Sequence, residues 1–287
     1  MTDTPAANAD MAEFWDGERG EAWVARADQF DAQLEIYALR AIAAAAPQPG
    51  ETVIDIGCGA GTTTLMAAQA VGATGRAVGI DISRPMLDLA RRRAQSLSHT
   101  NVEFVLGDAQ VMDPPDATAD AVVSRFGVMF FDDPTAAFAN IARMTSPGGR
   151  LSFVCWGPIE WNEWMGGPIL ALADVLTLPP SPPADAPGPF AFGDNARVEQ
   201  ILEASGWENV TIEDIADSIY LGGPGSVEDA ADFLIGSSSL AMLLDGATAD
   251  ERAAARARLV ETLAPQHDHI GVRYPALARL VHAVRAD

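Results

Sequence analysis

The chain has 287 residues, 48% of them hydrophobic, and a net charge of −22; that length suits one large α/β domain, or one domain with a smaller cap. Phosphate backbones and anionic membranes select clustered positive charge, so this acidic chain is not expected to bind nucleic acid or dock on a charged bilayer. All 18 basic residues are Arg, which removes Schiff-base chemistry and a phosphate-loop lysine from consideration.

The first ten residues are polar, with none of the apolar core of a signal peptide. No apolar run reaches the ~18 residues of a membrane span, so a soluble cytoplasmic protein is expected. Over residues 11–46, Phe14, Trp15, Trp23, Phe30, Leu34, Tyr37, Leu39 and Ile42 recur at helical intervals between acids, which predicts helices that stop at Pro47-Gln48-Pro49-Gly50. From 51 to 155 the chain alternates. Strands are predicted at 52–56, 77–81, 102–106, 121–125 and 150–155, and helices at 62–71, 84–97 and 135–144. Ser83 is placed to cap the second of these helices, and Pro147-Gly148-Gly149 to turn into the fifth strand. Apolar strands alternating with helices imply a parallel sheet covered on both faces.

After Cys155 the texture changes. Trp156, Trp161, Trp164 and Met165 crowd together, a helix is expected over 169–176, and the Pro-rich stretch 179–189 reads as a structured loop or a hinge. A helix over 195–204, a strand over 210–215 extending toward 221, a helical stretch over 227–263 and a final strand over 278–284 complete the pattern. Cys58 and Cys155 fit no metal or redox spacing and read as small buried fillers at strand ends.

The most informative run is Val53-Ile54-Asp55-Ile56-Gly57-Cys58-Gly59-Ala60-Gly61. It predicts a buried strand that turns sharply into a helix, with bare backbone left for a ligand. A dinucleotide loop reads G-x-G-x-x-G. Here the glycines alternate, Thr62 stands where the third glycine would fall, and Asp55 lies inside the strand. The second strand ends in Asp81, about 20 residues further on, where a carboxylate can accept from two vicinal ribose hydroxyls. The third ends in Gly107-Asp108-Ala109, where Asp108 can accept from an exocyclic amine and the Ala109 amide can donate to a ring nitrogen.

This combination resembles the Asp-x-Gly-x-Gly-x-Gly signature of class I S-adenosylmethionine-dependent methyltransferases, and it covers residues 51–155. Within that family the chain resembles the ubiquinone/menaquinone-biosynthesis-like branch. The resemblance implies a Rossmann-like α/β fold: a seven-stranded, mostly parallel sheet with helices on both faces, plus helical N-terminal and C-terminal cap elements. It divides the chain into an N-terminal helical cap (1–50), a cofactor-binding core (51–155), an aromatic and Pro-rich acceptor cap (156–205), and the remaining strands with a helical insertion (206–287). It implies S-adenosyl-L-methionine as cofactor, with S-adenosyl-L-homocysteine as product. The cofactor-binding set falls on Asp55, Gly57, Cys58, Gly59, Gly61 and Thr62 in the first loop, and on Asp81, Ile82 and Met86 after the second strand. It continues on Asp108 and Ala109 after the third strand, and on Arg125 and Phe126 at the end of the fourth, beside the methionine part.

The two caps are aromatic, which implies a small hydrophobic or aromatic acceptor enclosed by Trp15, Trp23, Trp156 and Trp161, with Trp23 and Trp156 the preferred pocket residues. The same rings would also suit a cation held by cation–π contacts, and packing of the caps on the sheet is the simpler reading of most of them. In-line methyl transfer needs alignment and exclusion of water, and no metal. His267-Asp268-His269 would suggest a base or a metal ligand only on a strand, where both rings share a face; a loop before the last strand is the simpler reading. No catalytic base is assigned. Asp113-Pro114-Pro115-Asp116 is similar to the Asp-Pro-Pro-aromatic motif of nucleic-acid amino methyltransferases, but it lacks the aromatic and precedes the fourth strand. Two alternatives stand beside this reading: an NAD-type oxidoreductase, opposed by the glycine spacing, and a non-catalytic cofactor-binding protein on the same fold. Homo-oligomerisation is left open.

Overall fold

Three helices precede the sheet: α1 (Ala9–Asp16), α2 (Glu18–Val24) and α3 (Ala27–Ala45). Then follow β1 (Thr52–Ile56), α4 (Thr62–Val71), β2 (Arg76–Asp81), α5 (Arg84–Ser96), β3 (Val102–Leu106), β4 (Ala119–Arg125), α6 (Pro134–Met144) and β5 (Thr145–Trp156). The chain ends with α7 (Glu163–Ala171), α8 (Asn195–Ala204), β6 (Trp207–Tyr220), α9 (Val227–Gly236), α10 (Ser238–Leu243), α11 (Ala249–Leu263) and β7 (Arg273–Arg285). This computed structural model describes residues 7–113, 118–180, 182–236 and 238–287. The first six residues of the polar N-terminus, and Pro114, Pro115 and Asp116, lie outside the described residues.

The seven strands form one sheet in the order β3-β2-β1-β4-β5-β7-β6. Strands β1 to β5 run parallel, and β7 is antiparallel to both its neighbours. The strand order reverses at β1, which pairs with β2 on one side and β4 on the other. The crevice beyond their carboxyl ends is where open α/β sheets hold ligands. Alternate residues cover opposite faces. Val53, Ala77, Ala121 and Val123 pack against Ala45 of α3 and Ala67, Ala68 and Val71 of α4, where small side chains let the helices approach closely. Ile54, Ile56, Val78, Ile80 and Val122 face the other way, into the core shared with α6 and α8.

Ser83 caps α5 as expected, its hydroxyl accepting from Met86 N–H. Four extents differ from the sequence pattern. Helix α7 begins at Glu163, six residues earlier than expected, because Trp164 buries itself and bonds through Nε1 to Asn162. Pro168 then removes one backbone donor, and the helix gives way to a short 3₁₀ turn over Leu172–Asp174. Strand β5 already pairs at Thr145, and Ser146 to Gly149 loop out of the ladder before Arg150 resumes it. Strands β6 and β7 pair from Trp207↔Arg285 to Tyr220↔Arg273, far beyond the segments expected. Their pairing carries the strands through Pro275 and through a bulge at Asn209. Glu208, Glu213, Asp214 and Asp217 are exposed along β6, the charge pattern that blocks edge-to-edge pairing.

The antiparallel course of β7 puts the insertion α9–α11 at the carboxyl end of the parallel strands. There it meets the N-terminal helices: Phe30 of α3 contacts Phe233 of α9 edge to face at 4.8 Å, and Arg19 of α2 pairs with Asp245. Among the described residues, no helix is long and apolar enough to cross a membrane.

Candidate active site

The loop after β1 is built from glycine for two different reasons. Gly57, Gly59 and Gly61 all have left-handed backbones, with φ of 63°, 54° and 82°. A Cβ on Gly57 would lie 2.7 Å from Gly127 Cα, so the turns after β1 and β4 touch backbone to backbone at the switch point. A Cβ on Gly61 would strike Ala90 and Phe104, so Gly61 seats α4 against α5 and β3. Beside Gly59 only Met86 Sδ lies near, at 3.6 Å from a notional Cβ. The loop thus leaves room on the side of its middle glycine. Cys58 anchors the turn by donating its N–H to Ile80 O, while burial pushes its thiol well above the ordinary range.

Asp81, at the end of β2, holds the loop from beneath. Its two carboxylate oxygens accept from Gly59 N–H at 2.7 Å and Ser83 N–H at 2.8 Å. Burial still raises its pKa, against the stabilising N–H groups of Gly59, Ser83 and Ile82. Asp55 is 1% exposed and accepts the Thr64 hydroxyl at 2.6 Å on Oδ2. Burial pushes its pKa up to about 7; the Thr64 hydrogen bond and Arg125 oppose the shift, and Asp81 adds to it.

Arg125, at the end of β4, is held by a residue the sequence reading passed over. Asp31 of α3 takes Arg125 Nη2 at 3.1 Å, Arg93 Nη1 at 2.8 Å and the Thr62 hydroxyl at 2.8 Å. Thr62 therefore turns its side chain toward α3, and Arg93, one of the three consecutive arginines, is drawn inward rather than displayed. Two buried polar atoms here have no partner: Asp55 Oδ1 and Arg125 Nη1. An unpaired acceptor and an unpaired donor, on groups near enough that the Arg125 charge bears on the Asp55 carboxyl, fit a zwitterion whose ammonium and carboxylate would satisfy one each.

After β3, Asn140 of α6 donates to Ala109 O and Met112 O, fixing the turn. Asp108 Oδ1 accepts from Gln110 N–H at 2.9 Å. The amide of Asn8, at the start of α1, donates to both Asp108 oxygens at 2.9 and 3.0 Å.

Apart from the core cluster of Phe131, Phe138, Phe153 and Phe192, the aromatic contacts among the described residues form two groups. Phe126, itself at φ 62°, stacks on Trp156 at 4.2 Å, and Tyr37 meets both rings edge-on at 5.2 Å. Trp15 contacts Trp23 at 5.6 Å and Phe130 at 5.5 Å, and Trp23 stacks on Phe30 at 3.5 Å. Trp161 belongs to neither group: it is 68% exposed, because the turn that follows β5 carries it outward while Trp164 takes the buried position. Burial, with Asp217 adding, raises the Tyr37 pKa, so its phenol stays neutral. His267-Asp268-His269 forms a turn rather than a base or metal cluster. Asp268 accepts from Ile270 N–H, Gly271 N–H and the Tyr220 hydroxyl, and the His267 ring meets Gly225 O.

A parallel sheet that reverses at β1, an even-spaced glycine loop and acids in β1 and at the ends of β2 and β3 together define a class I, S-adenosylmethionine-dependent methyltransferase. Residues 53–149 match the family model described as a methyltransferase domain. The chain is 30% identical to nocamycin O-methyltransferase of Saccharothrix syringae over 76% of this chain and 79% of that protein. It is 31% identical to demethylmenaquinone methyltransferase of Corynebacterium kroppenstedtii over 57% of this chain and 71% of that one. The YcgJ protein of Bacillus subtilis shares the fold, with a TM-score of 0.58 at 17% identity over 88% of this chain and 99% of that one. The chain belongs to the methyltransferase family, and its cofactor is S-adenosylmethionine; the dinucleotide alternative falls with the glycine spacing.

Three residues of this cleft escaped the sequence reading. Gly127 carried a signal, a glycine directly after a strand-end pair. Asp31 and Asn8 carried none, since each acts on a residue about a hundred positions away.

Proposed function

We propose that the protein transfers a methyl group to a small hydrophobic or aromatic acceptor seated at the carboxyl ends of β4 and β5. The observation that carries this reading is the Phe126–Trp156 stack with Tyr37 edge-on. These three buried rings make the carboxyl ends of β4 and β5 apolar, which favours a flat hydrophobic acceptor over a sugar or phosphate. Relatives named for nocamycin and demethylmenaquinone support a small organic acceptor. The acidic surface argues against nucleic acid, and a cytoplasmic location is part of the proposal.

When bound, S-adenosylmethionine supplies an electrophilic methyl on a sulfonium sulfur. Asp81 accepts the ribose hydroxyls while it keeps the Gly59 turn in place, and Asp108 with the Ala109 amide reads the adenine edge. Arg125 Nη1 and Asp55 Oδ1 take the carboxylate and ammonium of the methionine part. The rings of Phe126 and Trp156 orient the acceptor and exclude water, so alignment supplies much of the rate.

Calorimetry with S-adenosylmethionine and S-adenosylhomocysteine, followed by turnover on matched panels of phenolic and aliphatic polar acceptors, tests the reading. Micromolar binding, at least tenfold weaker in Asp81→Ala, and methylation confined to the aromatic panel are expected. Turnover of the polar panel alone would sink the acceptor assignment, and undiminished binding in Asp81→Ala would remove that residue from the site.

A further inference from the structure

The N-terminal segment reaches into the cofactor end of the cleft through one side chain. Asn8 is 3% exposed, although it stands near the start of the chain. Its backbone N–H donates to Asp132 Oδ2 at 2.8 Å, and its side-chain oxygen accepts from Asp132 N–H at 2.7 Å. Its amide nitrogen donates to both oxygens of Asp108 and, at 3.1 Å, to Gln110 Oε1. Its backbone sits at φ 52°, a left-handed conformation that Asn tolerates better than most residues. One carboxamide thus joins the start of α1, the turn after β3 and the segment after β4.

A carboxylate is acceptor-only and free to rotate; it reads a nucleobase only where something fixes its plane. Asp108 receives one N–H from its own turn, at Gln110. The second anchor, which spans both oxygens, comes from Asn8, and it leaves lone-pair capacity on the carboxylate for one further donor. We propose that Asn8 is a positioning residue for cofactor recognition: it sets the Asp108 carboxylate so that this group selects the exocyclic amine of adenine, and it ties seating of the N-terminal cap to the presence of that base. The inference rests on the proposed role of Asp108.

The test compares S-adenosylhomocysteine with S-inosylhomocysteine, in which a carbonyl replaces the amine, by calorimetry on the full chain. An acceptor facing a fixed carboxylate is repelled, so the wild-type protein should prefer the adenosyl ligand by about 100-fold. Asn8→Gly keeps the left-handed backbone and removes the carboxamide; the preference should fall to about tenfold, mainly by loss of adenosyl affinity. Asn8→Asp, isosteric but anionic beside Asp108 and Asp132, should weaken adenosyl binding further than Asn8→Gly. Thermal melts confirm that the variants are folded. Equal losses for both ligands, with the preference unchanged, would show a merely structural role and overturn the inference, as would a wild type that binds both ligands alike. A wild type that binds neither would instead overturn the proposed cofactor site.

Discussion

Asp55 offers the sharpest test of how the cleft receives its cofactor. In the free protein burial pushes its pKa to about 7, so near neutrality about half the molecules carry a proton there. For an acid, a raised folded value means that the neutral form is favoured by folding. Stability from this group is therefore present at low pH and is lost as pH rises from about 4 toward 7. Cofactor binding runs the other way. An ammonium beside Oδ1, now unpartnered, favours the carboxylate and expels the proton. If the proposed ammonium contact keeps Asp55 ionised in the complex, the affinity should be about tenfold weaker at pH 6 than at pH 8, and about half a proton should leave per cofactor bound at pH 7. Calorimetry in two buffers of different ionisation enthalpy reads that number directly. The cofactor's own amine titrates in any variant, so the comparison is with Asp55→Asn, which keeps the shape and has nothing to titrate. Proton release at pH 7 that is the same in Asp55→Asn, or a wild-type affinity that does not change between pH 6 and pH 8, would refute the assignment.

Asp31→Asn should weaken S-adenosylhomocysteine binding about fivefold by freeing Arg125, and leave 5′-methylthioadenosine, which lacks the amino-acid part, unaffected; equal losses for both ligands in calorimetry would contradict this. Gly57→Ala combines a left-handed backbone, worth about 1–2 kcal/mol in an L-residue, with a Cβ 2.7 Å from Gly127, so cofactor affinity should drop at least tenfold. Near-normal affinity would deny that the two turns are in contact. Trp156→Ala removes a buried ring packed on Phe126, Tyr37 and Trp164; urea unfolding should show a loss of about 3–5 kcal/mol, mostly recovered in Trp156→Phe. Thr248→Ala breaks the capping box with Glu251 at the start of α11, costing about 1 kcal/mol in the same assay while cofactor affinity stays unchanged.

The reach of the sequence follows the range of the forces that shaped each part. Apolar β-branched runs and amphipathic helices predicted β1 to β4 to within two residues, because burial on both faces of a parallel sheet writes itself into local pattern, whereas the early start of β5 at Thr145 comes from its pairing with Ala119. The even glycine spacing separated one cofactor class from another, because a left-handed turn needs glycine wherever it occurs. Strands β6 and β7 were legible only as fragments. Their length comes from pairing with each other, and neither Pro275 nor the bulge at Asn209 announces that partner locally.

The cleft divides in the same way. Asp55 lies inside β1 and Asp81 and Asp108 at or just past the ends of β2 and β3, so one-dimensional spacing was enough to single them out as candidates. Which aromatic residues line a pocket was not a matter of spacing: Trp161 and Trp164 are three residues apart, and packing turned one to solvent and the other into the core. Asn8 meets Asp108 and Asp31 meets Arg125 across separations of 100 and 94 residues. By itself, then, the sequence determined the class of fold and the class of cofactor, because backbone conformation and face burial are local demands on residue type. Only the tertiary structure decided which distant side chains complete the cleft, because those meetings depend on the order in which the strands assemble into the sheet.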